Sequence, residues 1–230
     1  MSLYERDYVK STDTTQAAIQ QSERVSFIKQ TYQLLAASMI AAAAGAYATL
    51  PIAESIMKYR FLIFIVELAI LFFGLRASRG KPGLNLIMLF AFTFLTGVSL
   101  VPLLAYIIGL GHSAAIGNAF LATAVLFAAL SIFAINSKTD FSSWGKALFI
   151  VLIVVIVASL INIFFLQSPI LHVIIMAVTM LLFGLLTIYD TQNIANGAYE
   201  SPVDASISLY LDFLNMFTIM LQFFGLLGDE

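Results

Sequence analysis

The sequence predicts an all-α polytopic membrane protein with seven transmembrane helices, and three observations lead there. The 230-residue chain is 61% hydrophobic with a mean hydropathy of +0.98, more apolar surface than a water-soluble core can hide. Charged residues make up 10% of it, against about 25% in soluble domains. The apolar residues also fall into runs near the length that crosses a bilayer, separated by short polar or Pro/Gly turns.

Composition excludes several functions. Cysteine is absent, which removes disulfides, thiolate metal sites and a cysteine nucleophile. The net charge of −2 comes with no dense basic patch, so nucleic acid is not an expected partner. The first 25 or so residues are polar and lack the apolar core of a signal peptide, so the first span itself would enter the membrane.

Residues 1–27 read as a polar cytoplasmic tail, mobile and rich in Ser, Thr and Gln, and residues 28–230 as the transmembrane domain. The first span covers roughly 28–49; its small residues, Ala41 to Ala44 and Gly45, suit close helix packing in lipid, and Pro51 ends it. The second, roughly 60–76, is short and carries Glu67 in its middle. The third, roughly 84–109, contains Gly97 and Pro102, and the proline is expected to kink it. Gly111 and His112 turn the chain into the fourth, roughly 113–135, with His112 expected in solvent. A polar loop from Asn136 to Lys146 holds Trp144 at interfacial depth. The fifth span, roughly 147–166, is a β-branched run, and Gln167-Ser168-Pro169 turns the chain. The sixth covers roughly 170–190 and the seventh roughly 206–227.

Lysine and arginine orient the bundle. With the N-terminus inside, Arg6, Lys10, Arg24, Lys29, Arg76, Arg79, Lys81, Lys138 and Lys146 are cytoplasmic, and Lys58 and Arg60 are external. That bias predicts a multi-pass membrane protein with a cytoplasmic N-terminus. The last helix then runs outward if it spans fully, or returns inward if it is re-entrant.

Two aspartates stand out. Asp190 closes the sixth span and Asp212 lies about 10 Å into the seventh. A carboxylate at such a place is costly without a partner or water. The topology brings both to the cytoplasmic face, where Arg76 and Arg79 also arrive. Ser208, Asp212, Asn215 and Gln222 fall on one face of the seventh helix, about 80° wide, so this helix is expected to be central and to line a cavity. Two carboxylates within hydrogen-bond reach cannot both ionise cheaply, so the pair would hold one proton and act as a pH-sensitive clasp, with an arginine as a second latch. The acids, Glu67 included, do not compose a tight Ca²⁺ cage, which needs six to eight oxygens. Weak, transient cation contact fits them better.

Tyr189-Asp190-Thr191-Gln192 and Ser208-Leu209-Tyr210-Leu211-Asp212-Phe213-Leu214-Asn215 resemble the signature of the Bax inhibitor-1 (transmembrane Bax inhibitor motif) family. Val66-Glu67-Leu68-Ala69 and Asn162-Ile163-Phe164 add to the likeness, which covers about residues 28–227. The resemblance implies two three-helix layers around a central seventh helix. It implies a pH-sensitive calcium (cation) leak channel, Ca²⁺ being the permeant ion and no cofactor being needed. It implies that Asp190 and Asp212 are the pH-sensing pair and that an arginine at the cytoplasmic end of the second helix is the latch. The latch position falls near Ser78, between Arg76 and Arg79; Arg79 is the preferred candidate. Glu67, Asn215, Ser208 and Gln222 are the expected pore-lining residues. The ending Gly228-Asp229-Glu230 lacks the basic tail of eukaryotic relatives, so the resemblance implies a bacterial member of the plasma (inner) membrane and not one of the endoplasmic reticulum.

Other functions compete. An intramembrane aspartyl protease also uses two aspartates, but needs Gly-x-Gly-Asp where Leu209-Tyr210-Leu211-Asp212 is bulky, so no enzyme activity is expected. A non-conducting regulator that binds a membrane protease or channel is the alternative. A proton-coupled transporter would use the same acids as a relay.

Overall fold

The structure, a computed structural model, describes residues 3–227, so Gly228, Asp229 and Glu230 lie outside it. All regular structure among the described residues is helical. Helix α1 runs from Leu3 to Thr49. From Leu3 onward, the segment read as a mobile tail is therefore helical and continuous with the first predicted span. No glycine occurs before Gly45 and no proline before Pro51. Once the apolar half nucleates, extending the helix through Gln, Ala, Glu and Arg costs little.

A 3₁₀ turn at Leu50–Ile52, opened by Pro51, leads to α2 (Ala53–Ala69), a π-helical turn (Ile70–Gly74) and the short α3 (Leu75–Ala77). Helix α4 (Pro82–Gly109) continues through Pro102, and α5 spans Ser113–Asn136. Helix α6 (Gly145–Ile161) ends in a second π-helical turn, Asn162–Leu166. The chain reverses there with Gln167 at φ 46, held by Asn162, which bonds both the amide and the carbonyl of Ser168. Helices α7 (Pro169–Ala195) and α8 (Pro202–Leu227) complete the chain.

Five helical stretches are long and apolar enough to cross a membrane: 83–109, 113–136, 142–166, 169–195 and 202–225. The stretches predicted as first and second spans, within α1 and along α2 to α3, are not among the five. The first owes its apolarity to alanine, and the second carries Arg60, Glu67 and Arg76.

The bundle is apolar outside, and small polar side chains are buried among the apolar ones inside. Phe73, Phe165 and Leu181 are exposed, whereas Thr31, Ser38, Thr93, Thr123, Thr187 and Ser206 are fully buried. That arrangement suits a lipid surround, where apolar side chains have no reason to hide. Helix α8 is the hub: it packs against α1, α4, α5 and α7. Leu209, Tyr210, Met216 and Leu221 on it are fully buried.

Helices α1 and α4 meet at their small residues. A Cβ on Gly97 would land on the Ala42 carbonyl, and one on Gly45 on that of Phe94. Overpacking typically costs about 1–3 kcal/mol. Gly97→Val is expected to lower the melting temperature of the detergent-solubilised protein by several degrees; an unchanged transition would contradict this crossing.

Candidate functional site

Four consecutive residues near the end of α7 point four ways, as 100° per residue requires. Tyr189 packs on Gly145 at the start of α6, where any side chain would strike its ring. Thr191 bonds Ser131 of α5 at 3.4 Å. Gln192 donates to the carbonyls of Ala134 and Thr139 and accepts from the Phe141 amide, fastening the α5–α6 connection. Asp190 is left facing α8.

There it meets Asp212, the two carboxyls lying within hydrogen-bonding reach. They are 8% and 3% exposed, so neither reaches headgroup water. Both sit deeper than the sequence placed them. Helix α7 continues to Ala195 and α8 begins at Pro202, which puts Asp212 about 15 Å into its helix. Asp212 Oδ2 is buried without a hydrogen-bond partner.

Sequence reasoning missed Tyr199. It stands in the α7–α8 connection and donates its hydroxyl to Asp190 Oδ1 at 2.9 Å. Ser208 of α8 is within hydrogen-bond reach of the same phenol. Burial first, and then the Asp190 charge, push the Tyr199 phenol above its ordinary value near 10. The phenol therefore remains a donor at every physiological pH, and its contact weakens only in strong alkali.

The other candidate residues divide into separate places. Glu67 accepts a short hydrogen bond from Ser99 of α4 and lies near the Tyr210 hydroxyl, which itself makes a short bond to Thr96. This cluster is on the α4 side of α8. Asn215 and Gln222 line a cavity of about 230 Å³ toward the far end of α8, with His172 and Thr179 of α7. The polar stripe of α8 thus serves two sites, Ser208 and Asp212 at one, Asn215 and Gln222 at the other. His112, expected in solvent, instead has Nδ1 at 3.2 Å from the Gly225 carbonyl. Among the described residues no three His, Asp or Glu side chains gather into a metal site.

The family model described as inhibitor of apoptosis-promoting Bax1 matches residues 24–229, which takes in both aspartates and every helix packed around them. The chain belongs to the Bax inhibitor-1 family. Its relatives include an uncharacterised protein of Helicobacter pylori (strain ATCC 700392 / 26695), 46% identical over all of this chain and 99% of its own length. One of Campylobacter jejuni is 46% identical over 96% of each chain, and a membrane protein of Vibrio cholerae is 35% identical over 88% and 90%. It is a multi-pass membrane protein, as its apolar helices and these relatives indicate.

In this Bax inhibitor-1 family protein the arginines lie away from the pair. Arg79 Nε is 3.3 Å from Asp204 Oδ2 in the first turn of α8, the one ion pair among the described residues. Arg76 is exposed. Ser78, between them, is buried and donates to Leu75 and Asn85. Gln192 of the family signature acts as a structural tie. Its three hydrogen bonds are together worth about 2–4 kcal/mol. Gln192→Met should destabilise the protein by that amount in denaturant titration in detergent micelles, and a shift under about 0.5 kcal/mol would argue against the tie.

Proposed function

We propose that this protein is a pH-sensitive calcium leak channel of the bacterial inner membrane, gated by Asp190 and Asp212. The observation that carries the proposal is the meeting of two buried carboxyls from successive helices, with no cationic side chain among the described residues paired to either. In this reading α1 from about residue 28 and the α2–α3 segment also cross the bilayer. That gives seven spans around α8, with the N-terminus cytoplasmic. Ca²⁺ is the cargo and touches the acids only in passing; no catalytic role is proposed for them.

One proton shared between the carboxyls closes the gate, because it bonds α7 to α8 and satisfies Asp212 Oδ2. Losing it leaves two like charges in a low-dielectric setting, where their repulsion is strong. Helices α7 and α8 then part at the cytoplasmic end. Leak therefore rises as cytoplasmic pH rises. Tyr199 straps the closed state by touching both Asp190 and Ser208. It takes the place the sequence had given to an arginine, and Arg79 instead steadies the start of α8 through Asp204.

The test is Ca²⁺ flux through purified protein in liposomes between pH 6 and 8. Flux that depends on protein and rises with pH supports the reading. No flux in either membrane orientation would sink it and favour a non-conducting regulator of another membrane protein.

A further inference from the structure

A groove between α1 and α5 leads from the outside of the bundle to its central helix. Both helices pack on α8 but hardly on each other, and the gap between them has a volume of about 420 Å³. Its rims, Ala43 and Tyr47 on α1 and Gly117 and Phe120 on α5, are exposed, so it opens sideways. Phe213 and Phe217 of α8 line its floor. Phe120 meets both rings edge-on, at centroid distances of 5.7 and 6.3 Å, which fixes the floor in place. Gly117 keeps the gap open, since a Cβ there would meet no atom within 4 Å.

Depth and polarity identify what fills it. On α1 the lining runs from Met39 to Leu50, about 16 Å. On α4 it ends at Ile108, one residue before the helix does. The groove therefore descends from the membrane face where α4 turns into α5. Its length is that of one leaflet, half of a hydrocarbon core of about 30 Å. No charged residue lines it, and its polar side-chain groups are two phenol hydroxyls. The Tyr210 hydroxyl is taken by Thr96, and Tyr47 stands at the rim, two residues from the end of α1. A buried water needs two to four polar partners, which this lining does not supply. An empty groove would forfeit dispersion contacts along all its walls.

We infer that this groove binds an acyl chain of a bilayer phospholipid, lying lengthwise against Phe213 and Phe217. The headgroup stays at the membrane face beside Tyr47, where tyrosine is at home. The site needs the bundle to sit in a bilayer and is independent of the leak reading.

Trp144 is the one tryptophan of the chain, so the fluorescence can be moved into the groove. Full-length Trp144→Phe with Phe217→Trp is placed in liposomes of dioleoylphosphatidylglycerol, or of the same lipid brominated at its double bonds. Bromine quenches tryptophan only at close range, so the brominated lipid should remove most of the emission. Adding Gly117→Phe and Ala43→Leu fills the groove and should restore most of it; the glycine change enters open space and spares the fold. In the Trp144→Phe background, Phe183→Trp lies in the closed core and should stay bright in both lipids. Emission at Phe217→Trp that ignores bromine, or is lost equally with the groove filled, overturns the site. Native mass spectrometry gives a second measurement without any tryptophan exchange. Wild-type protein should carry one more phospholipid out of the membrane than Gly117→Phe with Ala43→Leu. Equal retention overturns the proposal. A lipid-free wild-type dimer that the filled variant does not form also overturns it and gives the groove to a second copy of the chain.

Discussion

Asp212→Asn is expected to flatten the pH response of Ca²⁺ leak between pH 6 and 8. A single shared proton can change the open population by up to about tenfold per pH unit. Asparagine fills the same space and still hydrogen-bonds Asp190, but it carries no charge to repel and no proton to share. The remaining Asp190 then titrates without a like charge beside it. Asp190→Asn should give the same flat profile. The double variant should be no flatter than either single one, because the pair acts as a unit and the effects cannot add. A full pH response retained in both single variants would show that the sensor is elsewhere. Glu67 would be the next candidate, since it is the remaining buried acid of the candidate set and has its own partner in Ser99.

Tyr199→Phe should change the leak in a different way. Phenylalanine keeps the ring and removes the hydroxyl that joins Asp190 to Ser208. A hydrogen bond to a charged group is worth about 1.5–3 kcal/mol, so leak should rise roughly tenfold or more at any one pH. The slope of leak against pH should survive, because the Tyr199 phenol does not ionise in the working range and the acids remain. A variant that raises the leak and keeps the slope is a broken strap, whereas one that loses the slope is a broken sensor. Unchanged flux in Tyr199→Phe liposomes would remove the strap from the mechanism.

The aspartates and Tyr199 also mark what a sequence discloses. The aspartates were legible because a carboxylate in an apolar run demands a reason. Tyr199 was not, because a tyrosine in the polar connection Asn196–Ser201 looks like an ordinary interfacial aromatic. Its one signal was being the only aromatic in the short loop between the two acids. Helical phase put Ser208, Asp212, Asn215 and Gln222 on one face correctly, but phase carries no information on depth. The four residues therefore read as one lining when they belong to two places. Counting charges brought the arginines to the right end of the bundle without fixing their direction, and Asp204 claims Arg79. The helix ends slipped for a related reason. The sequence ends the sixth span near residue 190, yet the Gln192 side chain is satisfied by the α5–α6 connection and α7 runs on to Ala195.

The four directions taken by Tyr189, Asp190, Thr191 and Gln192 have a mechanical consequence. The residues on either side of Asp190 rivet α7 to α5, to α6 and to the loop between them. A helix fastened on three flanks is a stator. In the proposed gate, the partner that moves when the shared proton leaves is therefore α8. Spin labels on α5 and α7 should hold their separation from pH 6 to 8, while labels on α7 and α8 move apart. Movement of α7 against α5 would place the axle elsewhere.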